Sequence, residues 1–213
     1  MKRSDFLRLA LAALAALVVA GASAQPYPNR ADRMIIPSPP GGTLDALGRA
    51  MAQKLGDQTG QSFVVANRPG GNGIIGADAV AKAQADGYTL LFNASTFVTA
   101  PMTMKQVPYA IEKDFTPIAL VAKAPLSVAI AKDRPVTDIR SLIAYAKANG
   151  DKTTFAVGSI GSAGHLATEL LKRAGGIAYT VVPYKGTAPA FQDLLGGRID
   201  GFIDPILGSP AYR

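Results

Sequence analysis

A serine and histidine cluster is the first candidate for chemistry in this chain. Ser159 and Ser162 lie just before His165, the one histidine in the sequence, and a serine activated by an imidazole base is the reacting pair of a serine hydrolase. A nucleophile elbow needs glycine two residues before and two residues after the serine. Val157 and Ile160 occupy the upstream positions instead. We therefore expect no catalytic residues, and a secreted serine hydrolase is the alternative interpretation.

A glycine-rich segment matches the spacing of a nucleotide-binding loop. Residues 71–76, GNGIIG, follow the G-x-G-x-x-G pattern of dinucleotide sites. In those sites the glycines leave the first strand directly, and an acid ends the second strand. Here residues 68–70 intervene before the glycines, and Asp86 precedes its predicted strand. We therefore expect no nucleotide cofactor.

Metal sites lack suitable ligands in this sequence. The chain has no cysteine and one histidine, which leaves carboxylates as the main possible ligands. Asp45, Asp78 and Asp86 do not have the spacing of a calcium-binding loop. The lack of cysteine also excludes disulfides and cysteine nucleophiles. We expect neither a metal site nor any cofactor.

Two loops have a composition suited to binding an anion without a cationic side chain. Residues 38–43 and 158–165 each follow a short apolar strand and lead into an amphipathic helix. The N–H groups at a helix start are unpaired and carry partial positive charge, and small loop residues let a ligand approach them. Each such contact to a carboxylate is worth about 0.3–1 kcal/mol, rising to ~2 kcal/mol when partly buried. Tight turns of this composition also connect strands to helices without binding anything, so both interpretations stand.

The elements that position these loops alternate between strands and helices, which predicts an α/β fold. An extended pair is predicted over residues 116–121 and 126–131, with the crossing into a second lobe at Ala124-Pro125. The other predicted strands are 33–36, 62–66, 88–92, 155–157, 179–183 and 201–203, and the predicted helices begin near residues 43, 75, 138, 166 and 188.

The N-terminus has the features of a secretory signal peptide. Basic residues precede an Ala/Leu/Val run from Leu9 to Val19, and Ala22-Ser23-Ala24 matches a signal peptidase site. The run is too short to span a bilayer comfortably, which argues against a membrane anchor. We expect residues 1–24 to be removed and the rest to be a soluble, periplasmic protein.

Charge and composition narrow the range of partners. The chain is 48% hydrophobic and 17% charged, which is ordinary for a globular protein. Its formal net charge of +7 comes from basic residues scattered singly, whereas nucleic-acid binding needs basic clusters with interleaved aromatic residues. We expect an anionic small-molecule ligand and no nucleic acid.

Several motifs occur together, in order, along nearly the whole chain after residue 24. The Asn-Arg-Pro-Gly element at 67–70 and the Val-Pro-Tyr-Lys-Gly element at 182–186 are the most specific in combination. With these motifs the chain resembles the Bug-type substrate-binding receptors of the tripartite tricarboxylate transporter family. The matching segments are residues 35–45, 65–73, 85–91, 113–117, 161–166, 182–186 and 193–197.

This resemblance implies a type II periplasmic-binding-protein fold, in which two α/β lobes close on a small carboxylate. The first lobe would comprise residues 25–123 and the second residues 124–213. The resemblance also implies delivery of the ligand to membrane transporter subunits, without catalysis, and we expect a monomer. Position by position, it implies these ligand-binding residues: Pro40, Gly41, Gly42, Thr43, Asp45, Ser95, Thr96, Ser159, Ser162, His165 and Asp204.

Asp204 has a distinct expected role among these residues. A carboxylate side chain repels a carboxylate ligand, so we expect Asp204 to bind water, an amino group or a hydroxyl group. A strand-end turn without a ligand contact is the alternative for this residue.

Two departures from the family pattern stand out. Ser38 and Pro40 occupy positions where the family usually has Phe and Ala. Family members also continue beyond the point corresponding to Arg213, so we expect the C-terminal part of the first lobe to be missing. A truncated remnant without binding activity is therefore a further alternative.

Overall fold

A three-stranded and a four-stranded sheet organise residues 26–205, the part of the chain that the computed structural model describes. All of these strands and their helices belong to the compact unit that begins at Ala31. The signal peptide predicted over residues 1–24 lies outside the described residues. Within residues 26–205, no helix is long and apolar enough to cross a membrane.

The first sheet is parallel, with strand order β2-β1-β3. Parallel neighbours need a crossover, usually helical, and α1 and α2 supply it. The central strand β1 carries Met34, Ile35 and Ile36, which are all buried, as expected for a strand covered on both faces. The elements are β1 (Asp32–Ile36), α1 (Thr43–Thr59), β2 (Phe63–Asn67), a 3₁₀ turn (Gly71–Gly73), α2 (Ile74–Ala81) and β3 (Thr89–Leu91).

A segment with little regular structure connects the two sheets. It contains α3 (Thr96–Thr103) and the single turn α4 (Ile111–Asp114). Phe97, Tyr109 and Phe115 pack together with ring centroids 4.9–5.6 Å apart. This aromatic cluster packs α3 against the residues on either side of α4.

The strand predicted over residues 116–121 does not form, so that prediction is wrong. The segment runs without regular structure from Phe115 to Pro125, and Ile118 and Leu120 are 79% and 74% exposed. An apolar run becomes a strand only where a partner strand and a packing surface are available. The neighbouring prediction is correct in its position, but β4 (Leu126–Ile130) pairs with β7 instead.

The second sheet is mixed, with strand order β4-β7-β5-β6. Its edge strand β4 is antiparallel to β7, whereas β5 is parallel to both β6 and β7. The remaining elements are α5 (Ile139–Asn149), a 3₁₀ turn (Gly150–Lys152), β5 (Thr154–Val157), α6 (Ala163–Gly175), β6 (Thr180–Pro183), α7 (Thr187–Leu195) and β7 (Gly201–Pro205).

Helices cover both faces of this second sheet, and strand β7 joins the two halves of its core. Successive strand residues point to opposite faces. Phe202 accordingly packs with Phe191 of α7, whereas Ile203 packs with Phe155 and Leu142 on the other side. Both side chains are almost completely buried. The predicted α/β fold is therefore confirmed.

Candidate ligand-binding cleft

A cavity of about 810 Å³ opens where strands of both sheets end. Its wall includes the residues that follow β1 and β3 of the first sheet. The second sheet contributes the residues that follow β5, together with the end of β7. Ligands of open α/β sheets bind in this position, beyond the carboxyl ends of the strands.

The N-termini of four helices meet at this cavity. Helices α1 and α3 reach it from the first half of the chain, and α6 and α7 from the second half. Their first residues line the wall as the pairs Gly42–Thr43, Ser95–Thr96, Ser162–Ala163 and Gly186–Thr187. Side chains do not cap α1, α3 or α7. The arrangement concentrates N–H donors and the positive ends of helix dipoles on one space.

Charged side chains contribute little to the described wall of the cavity. Among the lining residues within 26–205, none is Lys, Arg or His, and Asp204 is the one acid. An anion in this space would therefore be recognised by backbone N–H groups and hydroxyls, as the helix-start pattern predicts.

Asp204 ends β7 at the cavity wall and has a perturbed carboxyl group. The Thr187 hydroxyl donates a hydrogen bond of 3.1 Å to its Oδ2 atom. Burial raises the pKa of this carboxyl to about 7, and the Thr187 hydrogen bond opposes the shift only in part. Near neutral pH the group can therefore donate a hydrogen bond when protonated or accept one when ionised.

Two hydroxyls of residues 38–43 are buried beside this space without partners among the described residues. The Ser38 Oγ and Thr43 Oγ1 atoms are buried and have no hydrogen-bond partner among the described residues. Both residues line the cavity. An unsatisfied buried hydroxyl costs about 1–3 kcal/mol, which a ligand or an ordered water would relieve.

One end of the cavity is apolar. Helix α1 presents Leu44, Leu47, Met51 and Leu55 to it, and β3 and the segment from Ile118 to Ala122 contribute further apolar residues. The leucines and the methionine lie on the apolar face of the amphipathic helix predicted to begin near residue 43, and this face lines the cavity. The cleft therefore has a polar end of helix N-termini and an apolar end beside α1.

Direct hydrogen bonds connect the two halves of the chain next to the cavity. The Thr99 hydroxyl donates to the Gly161 carbonyl at 2.8 Å, and the Ala163 N–H donates to Ser95 Oγ at 3.2 Å. Across the same boundary, Pro39 lies against Gly186. These contacts join the two walls of the cleft beside the cavity.

The structure divides the residues predicted to bind the ligand into two groups. Gly42, Thr43, Ser95, Thr96, Ser159, Ser162 and Asp204 line the cavity, whereas Pro40, Gly41, Asp45 and His165 do not.

His165 serves its own loop rather than the cavity. Its Nδ1 atom accepts the Gly161 N–H at 2.9 Å, and its backbone N–H donates to Ser162 Oγ, which caps helix α6. The Nε2 atom lies 4.0 Å from a Glu169 oxygen. In the described chain these contacts hold the loop after β5, and they do not form the serine-to-imidazole bond that a hydrolase needs.

Asp45 is almost completely buried and its carboxylate already has protein partners. It accepts hydrogen bonds from the Gly41 N–H and from the side chains of Arg49 and Asn67. Burial disfavours its charged form, but the hydrogen bonds from Arg49, Gly41 and Asn67 outweigh this effect and lower the pKa. The carboxylate therefore binds the backbone of the loop at residues 38–43 rather than a ligand.

Thr187 is a cavity residue that the sequence interpretation did not select. It starts helix α7 directly after Gly186, whose φ of 111° only glycine adopts readily. The sequence did contain a signal for Thr187. Strand β6 is followed by a glycine and then a helix, which is the strand-to-helix pattern of the loops at residues 38–43 and 158–165. Ser38 and Asn72 also line the cavity and were also not selected.

Comparisons with known proteins agree with this geometry. Residues 47–212 match the tripartite tricarboxylate transporter family receptor, TctC. Protein BugT of Bordetella pertussis is 41% identical over 192 residues, which is 88% of this chain and 58% of BugT. The chain thus spans less than two thirds of that relative.

Two solved structures have closely similar folds. The structure of R. palustris Rpa4515 with adipate matches with a TM-score of 0.82 and 38% identity, over 86% of this chain and 62% of that one. The periplasmic binding protein BugD matches with a TM-score of 0.81 and 38% identity, also over 86% of this chain and 62% of that one. The two-lobed binding-protein fold and the resemblance to Bug-type receptors are confirmed, and the chain belongs to the receptor family of the tripartite tricarboxylate transporters.

Proposed function

We propose that this protein is a periplasmic solute receptor that captures a small organic carboxylate in the cleft. The observation that carries the proposal is the meeting of four helix N-termini at a cavity whose described wall has no cationic side chain. The adipate held by the relative Rpa4515 supports a carboxylate as the ligand class.

In this proposal the ligand carboxylate lies at the polar end of the cleft. Backbone N–H groups at Gly42–Thr43 and Gly186–Thr187 donate to it, together with the unpartnered hydroxyls of Ser38 and Thr43. Ser95, Thr96, Ser159 and Ser162 complete the polar wall. Micromolar affinity needs about 8 kcal/mol, which several contacts of up to ~2 kcal/mol provide once the closed cleft excludes water.

The opposite end of the cleft suits the carbon skeleton of the ligand. Helix α1 offers Leu44, Leu47 and Met51, against which methylene groups bury apolar surface. Asp204 lies at the polar end beside Thr187, where it donates to a ligand oxygen when protonated. When ionised, it accepts from a water or a ligand hydroxyl.

The wider biological role follows from the family. The receptor delivers its ligand to membrane transporter subunits and catalyses no reaction, and it acts as a monomer in the periplasm after removal of residues 1–24. We propose that the first lobe ends at residue 123 and the second begins at residue 124, and the irregular segment before β4 supports this boundary. The serine hydrolase alternative is not favoured, because the His165 ring is bonded to its own loop.

Calorimetric titration and thermal unfolding of the purified chain test this function. Adipate, shorter dicarboxylates and monocarboxylates of the same length should be compared. Binding raises the unfolding temperature, because the ligand stabilises only the native state. Thr43→Val, which removes a hydroxyl at nearly constant volume, should weaken binding about fivefold, whereas the exposed Thr116→Val should not.

Two results would contradict the proposal. A cooperative unfolding transition that no carboxylate shifts would exclude the receptor function. The absence of any cooperative transition would also contradict it, because a chain that does not fold presents no cleft.

A further inference from the structure

We propose that Asp45, Arg49 and Asn67 form a positioning cluster that sets the shape of the first binding loop, residues 38–43, from outside the cavity. The proposal rests on the function proposed for that loop. It replaces the ligand contact predicted for Asp45 and gives a role to two residues that the sequence interpretation did not select.

The three side chains of the positioning cluster bond to one another in a closed triangle. Arg49 Nε donates to both carboxylate oxygens of Asp45, at 3.0 and 3.1 Å. Arg49 Nη2 donates to Asn67 Oδ1 at 2.9 Å, and Asn67 Nδ2 donates to Asp45 Oδ1 at 2.8 Å. Each residue therefore holds the other two, which restricts the rotamers of all three.

The cluster is attached to the loop at two points. The Asp45 Oδ2 atom accepts the Gly41 N–H at 3.0 Å, and Asn67 Nδ2 donates to the Ser38 carbonyl at 3.1 Å. Between these points lie Pro39 and Pro40, whose φ angles are fixed by their rings. The loop is thus fastened at both ends of a stiff dipeptide.

The two fastened points lie next to the groups proposed to contact the ligand. Ser38 carries one of the two unpartnered hydroxyls, and Gly41 precedes Gly42, the first residue of the helix start. A shift of the Ser38 carbonyl or of the Gly41 N–H would move these donors. The members of the cluster do not line the cavity, so their effect on a ligand is indirect.

Pairing of the first two strands decides where the cluster forms. Asn67 ends β2 and lies in register with Ile36, which ends β1 directly before the loop. The parallel register therefore delivers the Asn67 amide to the loop from a distant part of the chain. Arg49 is one helical turn after Asp45 on α1, which is the spacing at which side chains meet.

Charge compensation is the second role of Arg49 in the cluster. An acid in the first turn of α1 would repel an anion bound at the helix start. The guanidinium group of Arg49 pairs with Asp45, so the positive end of the helix dipole stays available to the ligand.

Hydrogen exchange of the ligand-free protein, measured together with adipate affinity, tests the proposal. In Arg49→Gln, amides of the segment 38–45 should exchange about tenfold faster, and the adipate Kd should rise roughly tenfold, as for other residues that orient direct ligands. Amides of β5 and β7 should exchange as in the native chain. Arg49→Lys keeps the charge and one bond, so it should restore part of both effects. The exposed Arg140→Gln is the matched control.

Unchanged exchange in the segment 38–45 of Arg49→Gln would overturn the proposal, whether or not affinity changes. If Arg49→Gln does not fold, Arg49→Lys decides, because it should still show faster exchange confined to that segment. If the native chain binds no carboxylate, the proposed function fails, whereas the exchange comparison still tests the cluster.

Discussion

The side-chain amide nitrogen of Asn72 lies 2.5 Å from the carbonyl oxygen of Ile160, and it thereby joins the loop after β2 to the loop after β5. Asn72 has a φ of 58°, in the left-handed region that Asn tolerates better than most residues. This backbone conformation, between two glycines, directs the amide across the mouth of the cleft. The bond therefore helps to hold the walls together.

Replacing Asn72 with glycine should accelerate release of the ligand. Glycine keeps the left-handed backbone without strain and removes only the amide. One hydrogen bond contributes about 1 kcal/mol, so we expect the dissociation rate to rise about fivefold while the association rate stays similar. Stopped-flow measurement of adipate release tests this, with Asn149→Gly in α5 as the control. An unchanged release rate would mean that the bond does not stabilise the closed cleft.

Replacing Asp204 with asparagine should reduce the pH dependence of stability. Burial raises the pKa of Asp204 to about 7 from an ordinary value of 3.8. Between these values the folded chain keeps a proton that the unfolded chain releases. Its contribution to stability is therefore complete below about pH 4 and is lost as pH rises through 7. The fall in Tm of the ligand-free protein from pH 4 to 8 should be smaller in Asp204→Asn.

The matched control for this prediction is Asp57→Asn on the exposed surface of α1. The Tm of this variant should fall with pH as steeply as that of the native chain over the same range. If Tm falls equally with pH in the native chain and in Asp204→Asn, the pKa of the Asp204 carboxyl does not differ between the folded and unfolded states, and the prediction is wrong.

Arg134→Gln should destabilise the second sheet strongly at neutral pH. The buried Asp200 is bound by Arg134, Tyr145 and Thr154. Burial disfavours its ionised form, but the hydrogen bonds from Arg134 and Thr154 outweigh this and lower its pKa. Removing one partner of a buried ion pair costs about 3 kcal/mol, which urea unfolding at pH 7 would measure.

The Arg134 effect should also weaken in acid. A group with a lowered pKa contributes stability above its ordinary value of 3.8 and loses it as pH falls through the lowered value. The difference between Arg134→Gln and the native chain should therefore shrink as the pH falls below the ordinary value of 3.8. The exposed Arg140→Gln should be neutral at both pH values, and a pH-independent Arg134 effect would contradict the ion-pair explanation.

Gly164→Ala should destabilise the packing of α6 on β7. A Cβ atom at position 164 would overlap with the backbone carbonyl oxygen of Ile203. Backbone must move to accommodate it, which costs about 1–3 kcal/mol. Chemical denaturation would measure the loss, and Gly56→Ala in α1 should change stability less because its closest contact is 3.3 Å. Equal effects of the two substitutions would contradict this explanation.

Much of this protein is determined by local sequence. The alternation of apolar strands with amphipathic helices specified the α/β fold, because each element's periodicity is a local property. The glycine- and serine-rich strand-to-helix loops identified part of the cavity wall, since a helix start exposes N–H groups wherever it occurs. Gly42, Thr43, Ser159 and Ser162 are cavity residues of this kind, whereas the family resemblance implied Ser95.

Tertiary structure decided which polar residues face the cavity. Asp45 turns to Arg49 and Asn67, and only the β1–β2 register brings Asn67 to it. Thr187 reaches Asp204 because α7 packs on the strand that follows it in sequence. The apolar residues 116–121 form no strand, because no partner strand lies beside them in the described chain. In each case the outcome depends on how separate elements pack against one another, and the periodicity of a single element carries no information about that packing.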